Sequence, residues 1–210
     1  MAPLHPRLIA RIDALLAGGG RLLGIVGAPG AGKSTLAEAV VAHFGDRARL
    51  LPMDGFHMAN EELARLGRSM RKGAPDTFDV DGYLDALHRV REREHDVLAP
   101  RFNRDIEEPI AGAIRIAPTT ELVVTEGNYL LLHEGRWALV AELLDESWML
   151  RPHDDVRRER LVRRHIVHGR SAQDAHQWVL TVDEPNARLI DRASAPPDLI
   201  IDPDDLGSLA

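Results

Sequence analysis

The order of patterns along this 210-residue chain predicts an α/β fold, a parallel sheet covered by helices on both faces. Three observations carry that reading. Short apolar runs of strand length alternate with segments of helical periodicity. A glycine-rich loop stands between the first such run and a helix-forming segment. The chain has no cysteine, and at 44% hydrophobic residues it is long enough to bury a core without disulfides.

The elements follow in order. Leu4, Leu8, Ile12, Leu15 and Leu16 recur at helical spacing over residues 4–17, and Gly18-Gly19-Gly20 ends that helix. Residues 21–27 (RLLGIVG) read as a buried parallel strand, 33–44 as a helix and 48–53 as a second strand. Helices are expected near 58–67 and from 81 to about 94. Strand-like pieces recur at 98–102, at 113–117 and most clearly at 121–125 (ELVVT). Residues 136–144 and 154–168 are helical, with a strand at 147–150 between them. Helix is expected again at 173–182 and 186–192, before a last short strand at 198–201. Length and pattern suit one domain over residues 1–210.

Composition narrows the function classes. A formal charge of −7 argues against a general nucleic-acid binder or a binder of anionic membranes. The absence of cysteine removes thiolate nucleophiles and Cys-ligated metals. The first stretch is interrupted by Pro3, Pro6, Arg7, Arg11 and Asp13, so it lacks a signal-peptide core. The expectation is a soluble cytoplasmic protein, monomer or homodimer, with no nucleic-acid or membrane partner. One skew stands out: of 26 basic residues, two are lysines, Lys33 and Lys72. Lysine and arginine are not interchangeable where a compact point charge is needed.

Lys33 lies in Gly27-Ala28-Pro29-Gly30-Ala31-Gly32-Lys33-Ser34, a full match to G-x-x-x-x-G-K-[ST]. A strand precedes it and a helix follows, as a phosphate-binding P-loop requires. Glycines let backbone N–H groups converge on phosphate oxygens, and the helix N-terminus adds positive potential. Lys33 then reaches the β- and γ-phosphates, Ser34 ligates Mg²⁺, and Thr35 adds an α-phosphate contact. A dinucleotide fingerprint fails, because its third glycine would fall on Thr35. A GTPase reading fails because none of Asn60, Asn103, Asn128 and Asn186 is followed by lysine. D-x-x-G occurs at 79–82 and 204–207, but neither follows a buried strand. A phosphotransferase remains, with an ATP-binding regulatory module of slow hydrolysis as its competitor.

Phosphoryl transfer to a hydroxyl calls for a carboxylate at the carboxyl end of a neighbouring strand. Asp54 follows the second strand, with Gly55 permitting close backbone approach; Glu126 follows ELVVT directly. Both positions face the crevice where ligands bind in such sheets. Residues 151–170 hold seven arginines and three histidines. A solvated helix face is the plain alternative there. Beside a P-loop, the stretch reads as a small arginine-rich helical lid over about 153–172 that excludes water and neutralises the moving phosphoryl group. Arg157, Arg160 and Arg164 fall on one helix face, and Arg163 and Arg170 are further candidates that spacing does not rank.

The ordered set GAPGAGKST (27–35), PMDGFHM (52–58), RKGAPDTFDVDGY (71–83), PRFNRDIEEPI (100–110), TEGNYLLL (125–132), RLVRRHIVHGR (160–170) and DEPNARLI (183–190) resembles a group of P-loop kinases. The group contains uridine kinase, phosphoribulokinase and bacterial-type pantothenate kinase. The likeness is greatest to small bacterial proteins labelled fructose-transport-system kinase or nucleoside/nucleotide kinase family. The resemblance implies a P-loop NTPase fold with a parallel five-stranded sheet, a lid, ATP as donor and Mg²⁺. It makes Asp54 the base and Glu126 a carboxylate near the metal. Arg160 and Arg164 would stabilise charge in catalysis, and Arg163 would touch the nucleotide. Arg101, Phe102 and Arg104 resemble the hairpin that grips the acceptor in uridine kinases; His57, Tyr83 and Asn128 are weaker acceptor candidates. Asn186 would border the adenine. Two features depart from uridine kinases and weaken a nucleoside acceptor: a lid about one turn shorter, and Met53-Asp54 where they carry paired aspartates. Aromatic residues are only 4% of the chain, which favours a polar, sugar-like or acidic acceptor over a nucleobase. An acidic acceptor would give Arg101 and Arg104 something to bind. Lys72 is left as a surface residue or an acceptor-side contact.

Overall fold

The computed structural model describes residues 4–202, so the D-x-x-G at 204–207 lies outside the described residues. The chain runs α1 (Pro6–Ala17), β1 (Leu22–Gly27), α2 (Lys33–Phe44), β2 (Ala48–Pro52), α3 (Asn60–Arg65) and α4 (Val80–Glu92). It continues β3 (Val97–Asn103), β4 (Glu108–Ile116), β5 (Leu122–Gly127), α5 (Ala138–Leu143) and β6 (Glu146–Leu150). It closes with α6 (Asp154–Val167), α7 (Ala172–Trp178), a π-helical turn (Val179–Asp183), α8 (Glu184–Ala193) and β7 (Leu199–Ile201). Among the described residues no helix is long and apolar enough to cross a membrane.

Five strands form one parallel sheet of order β2-β5-β1-β6-β7; the parallel sheet is what the sequence predicts, and five strands are what the resemblance implies. The period-2 alternation of β1 explains the two layers around it. Leu22 and Val26 face one core with Leu84, Leu87, Val140 and Ile190 from α4, α5 and α8. Leu23 and Ile25 face the other with Leu8 and Ile12 of α1 and Leu36 and Val40 of α2. The register places Glu126 opposite Pro52 on one side and Ile25 on the other. Glu126 thus stands between the carboxyl ends of β1 and β2, where the next loops emerge.

The pieces at 98–102 and 113–117 stay out of the main sheet. They pair as an antiparallel hairpin, β3–β4, whose register shifts between Ala99 and Arg101. Pro100 sits at that shift and has no N–H to donate to a ladder. The helical pattern at 173–182 is α7 running into the π-helical turn, without a break before α8.

Candidate active site

The glycine-rich loop leaves β1 and enters α2 at the carboxyl edge of the sheet. Gly32 is left-handed (φ 96°), and no side chain caps the first turn of α2. The leading N–H groups are therefore available to an anion. Gly30 (φ 81°) has a second constraint: a Cβ there would stand 2.8 Å from the Arg157 carbonyl oxygen. The start of α6 packs directly on the loop.

Lys33 is buried at 9% exposure, and its Nζ donates to Asn128 Oδ1 (2.7 Å) and the Ala28 carbonyl oxygen (3.1 Å). Burial lowers the ammonium to about 8, against the opposing charges of Glu126 and Asp54. Ser34 Oγ donates to Glu126 Oε1 at 3.1 Å. Burial, then the charge of Asp54, pushes the Glu126 carboxyl up to about 7, while Lys33 and Ser34 hold it back. A hydroxyl and a carboxylate oxygen side by side are the hard donors a small divalent cation takes. Among the described residues no cluster of three His, Cys, Asp or Glu side chains is placed to hold a metal alone.

Asp54 lies in a 3₁₀ turn, Met53–Phe56, directly after β2. Its Oδ2 accepts from Arg104 Nη2 at 3.0 Å. The hairpin is seated on this turn, because a Cβ on Gly55 would fall 2.3 Å from the Pro100 carbonyl oxygen. No other residue allows that approach.

Lys33, Ser34, Asp54, Glu126 and Arg164 line both of two adjoining cavities, about 560 and 480 Å³. Thr35, Arg101 and Arg160 line the smaller; Pro29, His57, Asn128 and Asn186 line the larger; Phe102 and Arg104 line both. His57 Nδ1 is 2.8 Å from the Asp54 carbonyl oxygen, and burial lowers the imidazole. Asn186, expected beside the adenine, shares its cavity with the acceptor candidates His57 and Phe102.

Three expected residues stand elsewhere. Tyr83 is fully buried in the core, its hydroxyl bonded to Thr125 behind Glu126, and lines neither cavity. It belongs to an aromatic cluster with Phe56 and Trp137. Arg163 points outward with its side chain 78% exposed, 3.6 Å from Glu159, and also lines neither cavity. Arg157 does not join Arg160 and Arg164. Its side chain is 3% exposed, pairs with Glu184 and donates to the Pro29 carbonyl oxygen at 3.4 Å, so it fastens α6 to α8 and to the loop.

Most other cavity residues carried no local signal. His165 Nε2 lies 2.8 Å from Asp183 Oδ2, tying α6 to the π-helical turn. Arg170 stacks 3.8 Å from the centre of the Trp178 ring. Asn60, Ser69 and Lys72 complete the wall opposite. Two of these had a signal, Arg170 as a lid candidate and Lys72 by its rarity.

A parallel sheet of this order, with a G-x-x-x-x-G-K-S loop between its central strand and a helix, defines a P-loop nucleotide-binding enzyme. Comparison with known proteins narrows the class. No protein-family model matches the chain. It is 31% identical to a candidate uridine kinase of Schizosaccharomyces pombe, over 86% of this chain and 82% of that protein. It is 34% identical to the uncharacterized protein YggC of Escherichia coli, over 83% and 74%. A solved candidate fructose transport system kinase from Silicibacter sp. TM1040 superposes with a TM-score of 0.81 at 35% identity, covering 90% of this chain and 98% of that one. The chain belongs to this family of P-loop kinases and is an ATP-dependent small-molecule kinase.

Proposed function

We propose that the enzyme transfers the γ-phosphoryl group of ATP to a hydroxyl of a small metabolite, with Asp54 as the general base. One observation carries this: Asp54 follows β2, shares a cavity with Lys33 and Ser34, and faces a hairpin seated on its own turn. The acceptor oxygen attacks the γ-phosphorus as its proton passes to the Asp54 carboxylate. The bond from that phosphorus to the bridging oxygen breaks, and ADP leaves with the electron pair.

Lys33 and the leading N–H groups of α2 hold the phosphates, and Arg164 and Arg160 add charge from α6. Burial, then the neighbouring Arg104, lowers the Arg164 guanidinium, and no carboxylate stands within 4.0 Å of it among the described residues. A phosphate would supply that counter-charge. Ser34 and Glu126 fit Mg²⁺, which takes one or two side-chain oxygens together with substrate phosphates and water. When bound, the ion neutralises charge on the β- and γ-oxygens. We read residues 1–210 as a single kinase domain with 153–172 as its lid, acting in the cytoplasm, where ATP is supplied. A regulatory module has no use for a base facing an acceptor hairpin.

An ADP-release assay over nucleosides, sugars, sugar phosphates, hydroxy acids and pantothenate tests the reading. At least one acceptor is expected to raise the rate well above that with water. A panel that leaves the water rate unchanged overturns it.

A further inference from the structure

The second lysine stands on the acceptor wall. Lys72 lies in the segment between α3 and α4 and lines the larger cavity but not the smaller one that holds Thr35 and Arg160. Its Nζ donates to Asn60 Oδ1 at 2.6 Å and to the Glu107 carbonyl oxygen on the hairpin. Both oxygens are neutral. Glu107 and Glu108 act on the ammonium only through space, and no carboxylate oxygen is within 4.0 Å among the described residues. Glu108 is engaged elsewhere, accepting from the Asn60 N–H at 2.9 Å. An ammonium has three N–H donors, so one is left for a ligand.

A second cation shares an aromatic neighbour with it. Lys72 Nζ is 5.2 Å from the centre of the Phe102 ring, and the Arg104 guanidinium is 5.9 Å from the same ring. Arg104 holds Asp54, which leaves Lys72 without a counter-ion. The wall is also well anchored: Tyr129 donates to the Gly73 carbonyl oxygen at 2.6 Å and Trp137 to that of Pro75 at 3.1 Å. A fixed wall that presents a cation with a spare donor and no counter-ion suits an anion.

Resting on the kinase reading of this cavity, we propose that the acceptor carries an anionic group, a carboxylate or a phosphate, bound by Lys72. The group sits on the same molecule as the reacting hydroxyl and takes no part in bond making. The hydroxyl oxygen gains the phosphoryl group, Asp54 gains the proton and ADP departs, while the anion stays with Lys72. Lys72 is thereby a specificity-determining residue.

The test pairs each acidic acceptor of the panel with a neutral counterpart: hydroxy acid with its amide, sugar phosphate with the free sugar. Wild type is expected to prefer the charged member roughly ten- to hundredfold in kcat/KM. Lys72→Met is expected to erase that preference with the KM for ATP unchanged, and Lys72→Arg to retain most of it. Asn60→Ala, which loosens the wall and keeps the charge, is expected to preserve the preference. Which charged class responds distinguishes carboxylate from phosphate. Neutral acceptors turned over as well as charged ones overturn this inference alone and leave the kinase reading standing. So does a Lys72→Met variant that weakens both members equally, which marks a merely structural lysine. A panel with no acceptor above the water rate overturns both.

Discussion

The floor and the wall of the cavity are built in different ways. The floor is one continuous segment, residues 27–35, whose donors are largely backbone N–H groups and whose lysine is buried. The wall draws on β2, α3, the 66–79 segment and the hairpin, and its cations are held by Asp54, Asn60 and the Glu107 carbonyl oxygen. A site for a ligand common to many enzymes can rest on backbone geometry. A site for a particular acceptor depends on side chains brought together by packing, and it can differ where the floor does not.

Five experiments sharpen or break that contrast. Asp54→Asn is expected to lower kcat on the order of 10²–10⁴-fold, leaving ATP affinity by calorimetry within about twofold. Near-full turnover would remove Asp54 as the base and dissolve the distinction. Lys33→Ala strikes the floor itself, so ATP affinity and turnover should fall together, turnover by roughly 10²–10³-fold. A loss confined to acceptor KM would contradict it.

Within α6 the contrast recurs on one helix. Arg157→Ala leaves Glu184 buried without its closest partner and is expected to destabilise the fold by about 3 kcal/mol or somewhat less, since Arg158 still reaches Glu184 at 3.0 Å. Chemical denaturation measures this. Arg163→Ala, on the outer face, should shift neither stability nor kcat/KM noticeably; a hundredfold loss there would place the nucleotide on the wrong side of α6.

The smallest effect expected to be measurable is a pH dependence of the unliganded enzyme. Burial, then the charge of Asp54, pushes the folded Glu126 carboxyl up to about 7, above the ordinary 4.5. Between those values the folded chain binds more protons than the unfolded one, so this group's contribution to stability falls as pH rises. Melting curves at pH 5.5 and 7.5 should show a larger loss for wild type than for Glu126→Gln. Saturating Mg–ATP should shrink that loss by giving the ionised carboxylate a partner. Equal slopes in both proteins would show that Glu126 is not raised.

Most of the element order was legible because strand and helix periods are local properties of a chain. So was the pair Asp54 and Glu126, since in a parallel sheet the residue after a strand emerges at the ligand-binding edge. The arginines of α6 were legible only in part: Arg160 and Arg164 line a cavity as expected, and Arg157 and Arg163 do not. Arg157 and Arg164 share a helix face about 10 Å apart along the axis, which spacing shows. Only one of them overhangs the cavity, because the start of α6 is pressed onto Gly30. Arg163, about 100° round from Arg164, meets solvent. Tyr83 was misplaced for a related reason: α4 turns it toward Thr125, and a helix face says nothing about which layer covers it.

The sequence by itself determined the sheet, the phosphate loop and the two carboxylates, since each depends on residues adjacent in the chain or on the regular geometry of strands. Tertiary structure alone decided which arginines overhang the cavity and which brace. It also brought Lys72 and Arg104, 32 residues apart in sequence, to the same Phe102 ring. Such contacts arise where separate segments pack, and their partners are named by no local pattern. The two lysines summarise the division: Lys33 is placed by its neighbours in the chain, Lys72 by its neighbours in space.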